Sequence, residues 1–184
     1  MRLGALALRG TIGPLFVGHG TQKLFGWFGG PGLQGVSGMM ESMEMRPARR
    51  HALLVSLAET LGGAMLTAGA FTPLATSMLT GSMTTAIRKV HGAKGPWVTG
   101  GGWEYNAVLI AAMAALTDNG AGPLSLDSAR FPNMRGPAWA AAAVAAGVAG
   151  SYLAERPPLN ERPPEPESRT GRFERVEQPV EATA

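Results

Sequence analysis

One stretch constrains this chain more than any other: residues 9–28, RGTIGPLFVGHGTQKLFGWF. It is mostly apolar, yet it carries Arg9, His19, Gln22 and Lys23. A soluble core rarely holds that many polar and charged side chains, and a helix surrounded by lipid holds none. The stretch therefore reads as the larger part of a first membrane helix, residues 3–28, whose polar side faces other helices. At about 1.5 Å per residue, that length crosses a hydrocarbon layer of about 30 Å. Arg9, Phe16 and Lys23 are spaced by seven and share one stripe, with Gly13 and Gly20 close by to admit a neighbouring helix. Lys23 is near enough to the helix end to reach the interface. Arg9 is deeper, and needs either a route to the near surface or a carboxylate partner.

Only 16% of the 184 residues are charged, against about a quarter in a soluble domain. Twelve of those charges crowd into residues 155–184. Residues 1–154 have a net charge of +5, gathered in short clusters between apolar segments. That is the pattern of membrane-flanking loops, not of a nucleic-acid face with interleaved aromatics. Nucleic acid is therefore not an expected partner. The chain has no cysteine, which excludes a disulfide framework, a thiol redox centre or a thiolate metal site of its own. Met1-Arg2 and the following LGALAL resemble the start of a signal peptide. Arg9 interrupts the run, however, and no small-x-small site follows, so the segment is expected to be retained.

The Gly/Pro cluster at 29–35 ends the first helix. Val36, Met39, Met40 and Met43 then recur at helical spacing in a segment too short to span. This predicts an amphipathic helix on the membrane surface or capping the bundle. Its methionines read as an adaptable apolar face, with a soft-metal thioether site as the alternative; no metal centre is expected. A second membrane helix is predicted over 52–70, apolar except for Glu59, with Gly62-Gly63 one turn beyond. A third follows over 74–90, with Thr72 as its N-cap and Pro73 as a good first helical residue. Its many Thr and Ser hydroxyls suit burial among other helices. A fourth covers 103–117, with Trp103 and Tyr105 as interface anchors and Glu104 and Asn106 in the first turn.

Polar residues lead to Arg135, and the Ala-rich run 138–154 predicts a fifth helix. From 155 the chain is Pro-rich and mixed in charge, which predicts disorder. The expected fold is all-α: a transmembrane four-helix bundle (1–127), a loop and fifth Ala-rich membrane helix (128–154), and a disordered C-terminal tail (155–184). With five spans, eleven Lys/Arg share the side of the first and third loops and the tail. Arg2, Arg130 and Arg135 lie on the other. The N-terminus is then outside and the tail cytoplasmic, in a multi-pass protein of the inner (plasma) membrane.

Glu59 most needs explaining, since an intramembrane carboxylate is costly and is a functional candidate by default. Two readings stand. Glu59 pairs with Arg9, from which it differs in depth by roughly 7 Å, or it handles a proton. His19, Lys23, His91 and Glu104 are brought by topology toward the same end of the bundle. A quinone head needs hydrogen-bond donors for its oxygens, an ionisable relay and an apolar entrance, and these residue types supply them. The candidate catalytic residues are Glu59, His19 and Lys23; the candidate cofactor-binding residues are Arg9, His91 and Glu104. The alternative is a non-catalytic membrane scaffold or accessory subunit, docking a larger assembly, whose polar residues are interfacial or tie helices together. Protein partners in the membrane are expected, and a homo-oligomer is compatible. No P-loop, dinucleotide fingerprint or Ser-His-Asp order is present, and no inverted repeat suggests a permease.

Several of these residues form motifs. They are Arg9, then His19-Gly20-Thr21-Gln22-Lys23-Leu24-Phe25-Gly26 with the Phe28-Gly29-Gly30 turn, then Glu59-x-x-Gly62-Gly63 and Gly69-x-Phe71-Thr72. Gly122-Pro123-Leu124-Ser125-Leu126-Asp127 follows late in the chain. In this order the chain resembles the DoxX family of small bacterial membrane proteins, over about residues 3–127. The resemblance implies a four-helix membrane bundle associated with membrane oxidoreductase systems. The family takes its name from a subunit of a thiosulfate:quinone oxidoreductase, and some relatives are linked to oxidative-stress defence complexes. It implies a redox-associated subunit more directly than catalysis. The Ala-rich run and the tail depart from the family pattern.

Overall fold

The computed structural model describes residues 3–155, and the expected disordered tail lies outside them apart from Glu155. The described residues are all-α, with no strand. The helices are α1 (Leu3–Phe25), α2 (Gly32–Ser42), α3 (Ala48–Ala68), α4 (Thr72–Ala86), α5 (Glu104–Asn119), α6 (Leu126–Arg130) and α7 (Pro137–Leu153). α1 stops three residues earlier than expected, at Gly26, whose positive φ of 74° opens a short turn through Phe28. α4 continues into a π-helical turn, Ile87–His91. α6 adds to the expected helices one short turn inside a polar segment.

Glycines set how the helices meet. α1 and α3 run antiparallel, and a Cβ on Gly63 would lie 2.7 Å from the Gly13 carbonyl oxygen. A Cβ on Gly20 would lie 2.9 Å from that of Ser56. Such positions exclude any side chain and let the backbones touch. α4 runs antiparallel to α5, since Thr76 meets Thr117 and Met83 meets Asn106. It runs parallel to α7, since Gly81 meets Gly147 and Thr85 meets Ser151. The five long helices therefore alternate in direction along the chain. One end of the bundle holds Arg9 and the α3–α4 turn; the other holds Lys23 and the α4–α5 loop.

The α3–α4 turn corrects one expectation. Thr72 does not cap its own helix; it is the first residue of α4, behind Phe71 at φ 47°. The cap comes from Asp127 of α6, whose carboxylate accepts from the backbone amides of Phe71 (2.6 Å) and Thr72 (2.8 Å) and from the Thr72 hydroxyl (2.6 Å). One carboxylate satisfies two amides at the positive end of the helix dipole, more than a single hydroxyl can.

Ile12, Phe16, Leu66, Leu79, Met113 and Leu116 form the core. Alongside them Arg9, Glu59, Thr76, Thr80, Asn106 and Thr117 are also buried. Leu54, Leu57 and Leu61 form an exposed stripe on α3, and Leu3, Leu6 and Leu15 are exposed on α1. Polar groups inside and leucines outside is the arrangement that lipid favours. α3 is the one described helix long and apolar enough by itself to cross a membrane. α2 packs through Val36 and Met40 against Met45 and Ala52, so it caps the bundle at the Lys23 end.

Candidate functional site

Lys23 lies one turn beyond the glycine contact at Gly20, and reaches back across the helix crossing to α3. Its Nζ donates to both oxygens of Glu59, at 2.5 and 2.6 Å. The Ser82 hydroxyl of α4 donates to the same Oε1 at 2.6 Å. Glu59 is 2% exposed and Lys23 29%. The carboxylate is thus buried but met by one cation and one hydroxyl, which is how an interior charge is tolerated.

The expected Arg9–Glu59 pair does not form. The glycine register sets Gly69, not Glu59, against the Arg9 guanidinium. Arg9 lies about 21 Å along the helix axis from Lys23. It is 3% exposed, and its Nη2 donates to the Leu124 carbonyl oxygen at 2.8 Å. Its Nε and Nη1 make no hydrogen bond among the described residues. Arg9 therefore pins the loop before α6 at the end opposite the cavity, and is not placed to hold a ligand beside Glu59.

The Lys23–Glu59 pair lies in the wall of a cavity of about 310 Å³ between α1, α2, α3, α4 and α5. Phe16, Met39, Met40, Met83 and Leu109 make its apolar surface. His19 stands exposed at the α1 side. His91 enters from the π-helical turn, its Nδ1 2.6 Å from the Gly101 carbonyl oxygen. A π turn displaces the residues after it relative to a continuing α-helix, and such turns are frequent at functional sites.

Glu104 does not join them. Its Oε1 accepts the backbone amide of Val98 at 2.6 Å, closing the glycine-rich loop on itself. Of the six expected residues, the structure brings His19, Lys23, Glu59 and His91 to one cavity and leaves Arg9 and Glu104 outside it. Ser82, Gln22, Tyr105 and Asn106 also line it, beyond the expected set. Ser82 is hidden in a helix with many hydroxyls, where nothing local marks the one that meets a carboxylate. Asn106 is buried, and its Nδ2 donates to Met83 Sδ at 3.3 Å.

The four gathered residues offer a distinct chemistry. Lys23 keeps one N–H beyond the two given to Glu59, His19 can donate or accept, and His91 keeps Nε2 beside the Nδ1 that meets Gly101.

Residues 4–92 match the family model described as DoxX. The matched stretch runs from α1 to the residue after His91, and so contains His19, Lys23, Glu59 and His91. It stops short of the Gly122–Asp127 motif and of α7. The family is one of membrane-associated proteins. No curated protein and no solved structure matches the chain.

Proposed function

We propose, from the premise that this chain belongs to the DoxX family, which the match over residues 4–92 supports, that it is a multi-pass protein of the plasma membrane that holds a quinone-type head group beside Glu59. It serves there as a subunit of a membrane redox complex. The observation that carries this reading is the paired, buried carboxylate of Glu59 in the wall of a largely apolar cavity. A charge kept at such cost inside a helical bundle marks function by default.

The residues present fit the group. A volume of about 310 Å³ is of small-molecule size. The third Lys23 N–H and the remaining ring nitrogens of His19 and His91 are groups that a head with ring oxygens or hydroxyls would engage, and the methionines of α2 adapt to a flexible apolar chain. A bound quinone would supply two-electron, two-proton chemistry, its electrons exchanged with a partner subunit. Lys23, His19 and His91 orient the head, and Glu59 holds or releases a proton at its Oε atoms. The alternating helices span the bilayer. The cluster of Arg46, Arg49, Arg50, Arg88, Lys89 and Lys94 at the Lys23 end supports a cytoplasmic side for that end.

The test is purification from native membranes in mild detergent, with mass spectrometry of extracted lipophilic molecules, for wild type and Glu59→Gln. A near-stoichiometric quinone or quinol that the variant loses is the expected result. Its absence from both samples overturns the reading.

A second reading has its own observation. Both Glu59 oxygens are already met, so Lys23, Glu59 and Ser82 also tie α1, α3 and α4 together as a structural staple. A stable protein partner that co-purifies without quinone, and survives Glu59→Gln, would favour a non-catalytic scaffold or accessory subunit.

A further inference from the structure

The hydrogen bond of His91 restricts what the cavity can hold. Its Nδ1 lies 2.6 Å from the carbonyl oxygen of Gly101. A carbonyl only accepts, so Nδ1 carries the hydrogen and donates it. In the neutral ring Nε2 is then a lone-pair acceptor. The carbonyl is held in position, because Gly101 sits at φ 79° and its amide closes a short turn onto the Val98 carbonyl oxygen at 2.8 Å. His91 is among the residues that line the cavity, and Nε2 is its ring nitrogen without a hydrogen bond among the described residues. Lys23 offers the opposite: two of its three N–H groups go to Glu59, and the third remains to donate.

We infer that the cavity, on the function proposed above, selects a head group bearing a hydroxyl, a quinol or alkylphenol, over a fully oxidised quinone. A phenolic hydroxyl donates to His91 Nε2 and keeps lone pairs for Lys23. A quinone oxygen has only lone pairs. Set against Nε2 it leaves two acceptors facing each other, and a hydrogen bond left unmade there weakens binding by about tenfold. The site therefore prefers the reduced partner of the redox pair.

The experiment uses the full chain purified in detergent and titration calorimetry with four probes. Two are redox-inert, a 4-alkylphenol and its methyl ether; two are a quinol and the quinone of the same tail. The phenol is expected to bind about tenfold or more tightly than the ether, and the quinol likewise than the quinone. His91→Asn keeps an amide donor for Gly101 but is too short to set an acceptor at the Nε2 position, and it should even out both pairs. Nitrogen-15 NMR of the wild type should show the neutral ring protonated on Nδ1. Equal affinities in the wild type, a preference unchanged in His91→Asn, or an Nε2–H ring would overturn the inference while leaving the cavity a quinone site. Failure of all four probes to bind would overturn it together with the proposed function.

Discussion

Lys23 Nζ stands 2.5 and 2.6 Å from the two oxygens of Glu59, and Ser82 closes on the same carboxylate from a third helix. The depth of Glu59 in its own helix makes it look like a partner for Arg9, but the contact that forms joins the far end of α1 to it. One buried carboxylate therefore ties α1, α3 and α4 together and shapes the wall of the cavity at the same point.

Removing the cation while leaving the buried carboxylate costs more than removing both. Lys23→Met is expected to destabilise the protein by about 3–5 kcal/mol. The double variant with Glu59→Met should recover much of that loss. Arg9→Met combined with Glu59→Met should instead be additive within about 0.5 kcal/mol, because the two residues share no partner. Unfolding in detergent measures both cycles, and strong Arg9–Glu59 coupling would sink this account of the pairing.

Gly63→Ala places a methyl 2.7 Å from the Gly13 carbonyl oxygen and 2.8 Å from the Val17 amide nitrogen. Backbone cannot yield as a side chain can, so a loss of about 1–3 kcal/mol is expected. A methyl on Gly10 would meet nothing within 4 Å, and Gly10→Ala is the control. It should be neutral or stabilising by up to about 1 kcal/mol. Similar melting points for the two variants would contradict the close α1–α3 contact.

Asp127→Ala removes the cap of α4 although it lies 55 residues away in sequence. The expected cost is about 0.5–2 kcal/mol. Hydrogen exchange should quicken at the Phe71 and Thr72 amides first, and the α4–α5 loop should be unaffected. Uniform exchange across the chain would show that the carboxylate acts elsewhere.

The absence of cysteine allows topology to be read with single probes. Lys94→Cys and Asn133→Cys lie in loops at opposite ends of the bundle, and both positions are exposed. A membrane-impermeant maleimide should label Asn133→Cys from outside intact cells, and Lys94→Cys only after the membrane is opened. Labelling of both from the same side would rule out the alternating crossing.

Much of the architecture was legible in the residues. The helices follow from apolar runs cut by Gly- and Pro-rich turns, signals that act within a few residues, although α1 ends before Gly26 and α3 before Gly69, short of the expected 28 and 70. His19, Lys23, Glu59 and His91 stand out because each interrupts or ends an apolar segment at a cost that demands a partner. Glu104 misleads because a carboxylate in a first helical turn serves a cavity and a loop equally well. Only the folded loop shows it bonded to Val98.

What the sequence by itself determined is that these segments are helices, that their polar residues turn inward, and that DoxX-type motifs lie along them. Which polar residue meets which was decided only in the tertiary structure. The partner of Glu59 depends on the sliding of α1 against α3, and that register is set where Gly13 and Gly20 touch the backbone of Gly63 and Ser56, far along the chain. The cap of α4 depends on Asp127 arriving from another segment, and the acceptor at His91 on where the Gly101 carbonyl comes to rest. Helix formation is local and repeats its signal every turn. Register and hydrogen-bond partnership are single long-range contacts, and they are fixed only when the whole bundle closes.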